Sequence, residues 1–181
     1  RALHADLVTA AGVEELAVVQ RTDPVVIGVD IWQAHRLDDE RVALVSIDFD
    51  QSRDTSMVLL RVIAGGQVTE SRLPFSPQNR YVSLASALDT SGRLAVVAVS
   101  KHAVEAMIVD PRQPSGGRAR VLGEASASFG FLSSCVRVVA TGDRFVAAWL
   151  RPSDRAIQLC EFNEQFVFPA LAAGGVAEGD V

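Results

Sequence analysis

Apolar residues in this chain gather in short runs broken by polar turns, and the pattern recurs. Three segments align: RVALVSIDFDQSRDTSMVLLRV from Arg41, RLAVVAVSKHAVEAMIVD from Arg93, and RFVAAWLRPSDRAIQLCEF from Arg144. Each opens on an arginine, runs through about six apolar residues, turns on polar ones and enters a second apolar stretch, which reads as a strand hairpin. Val42, Leu94 and Phe145, the first apolar residue of each, lie roughly fifty residues apart, the period of a repeat built from one supersecondary unit.

A further strand precedes each segment: VVIGVDIW before the loop QAHRLDDE, YVSLASALDTSG before Arg93, and VRVVATGD before Arg144. Gly92 and Gly142 supply the turn chemistry of the later two, because glycine reaches positive φ without steric cost. A more polar strand follows each segment: QVTESRLPF, RARVLGE and QFVFPAL. Each unit is therefore four strands. The second strand is apolar on both sides, while the fourth mixes in Thr69, Glu70, Ser71 and Arg72. Such a gradient is expected where four-stranded sheets stack radially, with inner strands covered on both faces and outer strands meeting water.

The predicted fold class is all-β, a β-propeller-like array of four-stranded antiparallel blades. The predicted blades are Pro24 to Pro74, Tyr81 to Glu124 and Cys135 to Leu171, within one domain over 1–176 and before a tail over 177–181. Residues 1–22 are expected as a half blade, since HADLVTAAGVEELAVV aligns with MVLLRVIAGGQVTESRL; the competing reading is an amphipathic helix interrupted by Gly12. Three and a half blades fall short of the four to eight of a standard ring. The expectation is a segment of a larger propeller, or two copies closing a ring of seven.

Composition narrows the classes of function. The chain has 181 residues, 49% hydrophobic and 22% charged, as in ordinary globular domains. A net charge of −5 argues against a nucleic-acid surface, which relies on clustered Lys and Arg. Lys101 is the only lysine, and the arginine, alanine and valine bias fits a GC-rich bacterial coding sequence. No apolar run is long enough to span a bilayer as a helix, and no signal-peptide pattern opens the chain, so a soluble protein without a membrane span is expected; the compartment stays open, with the cytoplasm favoured slightly over export. Cys135 and Cys160 lack zinc spacing and are read as reduced thiols, with a single disulfide as the alternative.

The stretches ALDTSGRLAVVAV and ATGDRFVAAW resemble, respectively, the turn and strand of bacterial propellers of the NHL and gluconolactonase-like kind and the blade core of uncharacterised bacterial propeller repeats. The resemblance spans Pro24 to Leu171 and implies a propeller fold. It carries over no catalytic residue. The Gly-His and Trp-Asp pairs of WD40 blades and the kelch diglycine are absent.

Two polar stretches carry candidate chemistry. Asp48, Asp50 and Asp54 stand at D-x-D-x-x-x-D spacing and are the candidate metal ligands, with calcium the cofactor considered; the glycine bend and late bidentate glutamate of an EF-hand are missing, so a solvated hairpin turn is the plainer reading and no cofactor is the expectation. The loop HRLDDER gathers His35, Asp38 and Asp39, a polar rim for a ligand or partner, or an acid/base pair if either aspartate orients His35. Trp32 and Trp149 close strand runs and complete this candidate rim, although aromatics there commonly pack between blades. No catalytic constellation stands out. The expectation is a non-catalytic scaffold for protein or ligand interaction, with a partner protein, further blades or a second copy as its partner. The alternatives are part of a propeller hydrolase or lactonase with an axial metal or acid/base site, and a calcium-stabilised structural repeat.

Overall fold

The structure, a computed structural model, describes residues 2–9, 12–20, 31–50, 55–114, 117–125, 136–151 and 156–166. Every element among them is a strand and every pairing is antiparallel. No helix among these residues is long and apolar enough to cross a membrane.

Strands β1 (Ala2–Thr9) and β2 (Gly12–Gln20) pair as a hairpin, as the strand reading of the first residues expects. The first sheet then runs β3 (Ile31–Arg36), β4 (Arg41–Asp50), β5 (Thr55–Ala64) and β6 (Gln67–Arg72), each strand bonded to the next. The middle sheet repeats this order with β7 (Tyr81–Leu88), β8 (Leu94–Ser100), β9 (Ala103–Val109) and β10 (Arg120–Glu124). The last sheet has three described strands, β11 (Val136–Thr141), β12 (Arg144–Arg151) and β13 (Ala156–Phe162). Its expected fourth strand falls on QFVFPAL, of which all beyond Phe166 lies outside the described residues, as do Asp54 and the whole link FGFLSSC with Cys135.

Turn chemistry explains the hairpins. Gly65 and Gly66 carry the chain from β5 into β6 with φ of 54° and 76°, a region that costs an L side chain about 1 kcal/mol or more. The β7–β8 turn holds Gly92 at φ 85°, and an added Cβ there would stand 2.9 Å from the Arg112 guanidinium.

The sheets stack face to face. Each has a leading face toward the preceding sheet and a trailing face toward the following one. The trailing face of the first sheet (Ala43, Val45, Ile47, Val58, Leu60) meets Leu84, Leu94, Val96, Ala98 and Met107 on the leading face of the middle sheet. On the other side, Ala85, Ala95, Val97, Val99, Val104 and Ala106 meet Val136, Phe145, Ala147, Trp149 and Phe162 of the last sheet. Every residue of β8 is buried, because this strand lies inside the stack with a sheet against each face. β6 and β10 are largely exposed, which accounts for their polar sequences. The backbones approach most closely along the first strands, with β7 beside β3 and β4 on one side and β11 beside β7 and β8 on the other.

One strand boundary differs from expectation. The predicted first strand of the first unit is VVIGVDIW, with QAHR in the following loop; β3 instead covers Ile31–Arg36, and residues 25–30 lie outside the described set. Pairing decides the matter. β4 is long enough to run antiparallel from Ile31↔Ile47 to Arg36↔Val42, so Gln33 and His35 earn ladder hydrogen bonds as strand residues. The loop contracts to Leu37–Glu40, closed by Leu37 N–H donating to the Arg41 carbonyl at 2.9 Å.

Candidate functional site

The extension of β3 moves His35 from the predicted rim to a sheet interface. Gln33 and His35 alternate onto the trailing face and reach Ser86 on β7. The Ser86 backbone N–H donates to Gln33 Oε1 at 2.5 Å, and the Ser86 hydroxyl donates to the same oxygen at 2.9 Å. Because the one hydroxyl proton is used there, His35 Nε2–H is the donor in the 2.7 Å bond to Ser86 Oγ. A histidine protonated at the atom nearest the serine is an interface donor, not a base poised to deprotonate it. Burial lowers the imidazole pKa, favouring this neutral form.

Asp38 and Asp39 do not orient His35. Both turn back on their own loop: Asp38 accepts from Arg41 Nε at 2.7 Å, from Arg41 Nη2, and from the Glu40 N–H at 3.1 Å. Asp39 accepts from Arg36 at 2.5 Å. The Arg41 hydrogen bond is the largest influence holding the Asp38 carboxyl below its usual range. His35 therefore faces the stack while the two aspartates close a turn, and the predicted acid/base pairing is not formed.

Asp48, the described member of the metal candidate, faces away from the middle sheet. Its carboxylate accepts from Arg61 Nη2 at 3.1 Å and from Ser46 Oγ at 3.2 Å, while Arg61 also donates to Glu70 at 2.7 Å and to Ser46 at 2.8 Å. Arg61 is buried, so its charge relies on these partners. Asp48 thus belongs to an arginine site rather than to a described cation site. The Asp50 side chain and all of Asp54 lie outside the described residues, and no three His, Cys, Asp or Glu side chains gather for a metal among the described ones.

The two tryptophans separate. Trp149 is buried between the last and middle sheets, so it is not part of a rim. It lies over Gly123 on β10, where an added Cβ would come within 2.7 Å of the indole ring. Trp32 is the reverse case, 51% exposed on the leading face of β3 beside exposed Ala34 and Arg36.

Sequence reasoning missed three features. Ser86 and Gln33 carried no motif, and only the two-residue alternation of Gln33 and His35 signalled that they share a face. The arginine that opens each aligned segment makes an ion pair: Arg41 and Arg93 clamp the preceding turn through Asp38 and Asp89, and Arg144 reaches across to Glu161 on β13. Its recurrence was visible, its partners were not. The third feature is the trailing face of the last sheet, where Val139 (55%), Leu150 (38%), Ile157 (54%) and Leu159 (52%) stand exposed together.

No protein-family model and no curated protein sequence matches the chain.

Proposed function

We propose that the chain is a non-catalytic interaction scaffold of the β-propeller kind, made of consecutive blades whose sheet faces are its binding surfaces. The observation that carries this reading is the open trailing face of the last sheet. Four large aliphatic side chains are left to water on one side of an antiparallel sheet, a pattern that marks interaction surfaces, because monomers rarely expose contiguous apolar patches of this kind. The polar residues support the same reading. Those bearing on the former rim and metal candidates serve interfaces and turns: His35 joins two sheets, Asp38 and Asp39 close a loop, and Asp48 holds Arg61.

A photoactivatable residue in place of Leu159 tests the reading in cells. A discrete cross-linked adduct is expected from that position and not from Gln67 on the exposed β6. Absence of any protein adduct at Leu159 overturns the scaffold reading.

A further inference from the structure

We propose that the Glu105 carboxylate on β9 is a binding site for a primary ammonium group, carried by a small amine or by a lysine of a partner protein. The site lies apart from the trailing face of the last sheet, so the two stand or fall separately.

Charge pairing is the first support. Three charged side chains are buried among the described residues: Arg61, Asp89 and Glu105. Arg61 has Asp48 and Glu70 as counter-ions, and Asp89 has Arg93. Glu105, 7% exposed, forms no ion pair and is held by neutral donors alone. The only lysine, Lys101, stands exposed in the β8–β9 turn and makes no bond to it, and the Arg80 guanidinium lies over the Phe49 ring at 4.3 Å. A buried charge is costly unless a counter-charge meets it, so a carboxylate kept at this depth without one suits a cation from outside the chain.

Hydrogen bonding divides the two oxygens. Oε2 accepts from the Tyr81 hydroxyl and from Asn79 Nδ2 at 2.9 Å, whereas Oε1 accepts from none of the described residues. Burial first, and the bond to Glu105 next, push the Tyr81 phenol pKa up, so the hydroxyl stays protonated and donating at neutral pH. Asn79 belongs to the crossover 73–80 between β6 and β7, where its backbone N–H donates to the Ser76 carbonyl at 3.2 Å. The crossover and the start of β7 therefore fix one oxygen and leave the other free.

That division selects the cation. A guanidinium engages both carboxylate oxygens as a bidentate fork, and Oε2 is already occupied. Calcium takes about six to eight oxygens, and no three His, Cys, Asp or Glu side chains gather among the described residues. An ammonium is a compact point donor that a single oxygen can hold. The Ser76 carbonyl, 3.4 Å from the Tyr81 hydroxyl, is a second acceptor close by. Phe75 and Tyr81 meet edge to face with centroids 5.6 Å apart, and aromatic surface of this kind attracts cations.

Tyr81 is the only tyrosine in the chain, so its ring resonance reports on Glu105 without ambiguity. The chain labelled with carbon-13 at tyrosine Cζ and titrated with n-butylammonium at neutral pH is expected to show a saturable shift. Tetramethylammonium, which has no N–H, and sodium or calcium chloride at equal ionic strength are expected to give none. Glu105→Gln keeps an acceptor for Tyr81 and Asn79 and should abolish the butylammonium response. The absence of a saturable shift with butylammonium overturns the proposal, as does an equal shift with tetramethylammonium or either salt, and these results need no variant to fold. A response that survives in folded Glu105→Gln overturns it too. A blocked lysine peptide that binds more tightly than butylammonium assigns the site to a partner's side chain; the reverse order assigns it to a free amine. The Leu159 cross-link tests the scaffold reading and is unaffected by any of these results.

Discussion

His35 on β3 and Ser86 on β7 are joined by a 2.7 Å hydrogen bond that ties the first sheet to the middle sheet across fifty residues of chain. Burial depresses the imidazole pKa in the folded state, so the unfolded chain binds the proton more readily. The contribution of a neutral His35 is fully present above the unfolded value of about 6.5 and declines as pH falls from there through the lower folded value. Melting curves at pH 7.5 and pH 5 should show a smaller pH-dependent loss of Tm in His35→Gln than in the unaltered chain. Equal losses in the two proteins would show that another group sets the acid sensitivity.

Asp89 is buried at the β7–β8 turn and accepts from Ser91 N–H and Arg93 N–H at 2.9 Å, and from Ser91 Oγ and Arg93 Nε at 2.7 Å. Burial pushes its carboxyl up, but these four donors outweigh it and hold the pKa below the ordinary value. Asp89→Ala strands those donors and is expected to cost about 2–4 kcal/mol, measured by urea titration. Asp89→Asn keeps an acceptor and should lose less. A loss below about 0.5 kcal/mol for alanine would mean that water replaces the carboxylate.

Gly123 and Trp149 are a steric pair across the middle and last sheets. Gly123→Ala should lower stability by about 1–3 kcal/mol, the usual penalty of overpacking, because its Cβ falls within 2.7 Å of the ring. In a Trp149→Phe background the same change should cost less, since the smaller ring leaves room. A double-mutant cycle with no coupling energy would contradict this packing.

Arg61 and Asp48 predict the response to metal. Arg61→Met removes the donor shared by Asp48, Glu70 and Ser46 and is expected to cost about 2 kcal/mol, moderated because Glu70 reaches solvent. With the Asp48 carboxylate engaged by arginine, calcium and EDTA should leave Tm unchanged. A calcium-dependent rise in Tm that Asp48→Asn abolishes would restore this stretch as a metal loop.

Several features of the fold were legible because they are local or periodic. The alternation in β11, the unbroken apolar run of β8 and the polar run of β6 each report how many faces of a strand are covered. Gly65–Gly66, Gly92 and Gly142 marked hairpin turns, because positive φ is a property of single residues. The end of β3 was misread because QAHR is a polar stretch, whereas strand length there follows the partner strand. The candidate site was less legible. Whether His35 meets an aspartate three or four residues away or a serine in the next sheet depends on sheet-to-sheet placement, which no local pattern encodes.

Trp32 and Trp149 state the division most directly. By itself the sequence determined an all-β chain of antiparallel hairpins, their turns and the contrast between the buried strand β8 and the wet strands β6 and β10, since these follow from residue chemistry at short range. Only the tertiary structure decided which face of each strand meets a neighbour. One tryptophan fell between two sheets and the other on the exposed side of β3, because burial depends on what lies beyond the strand and not on the strand's own residues.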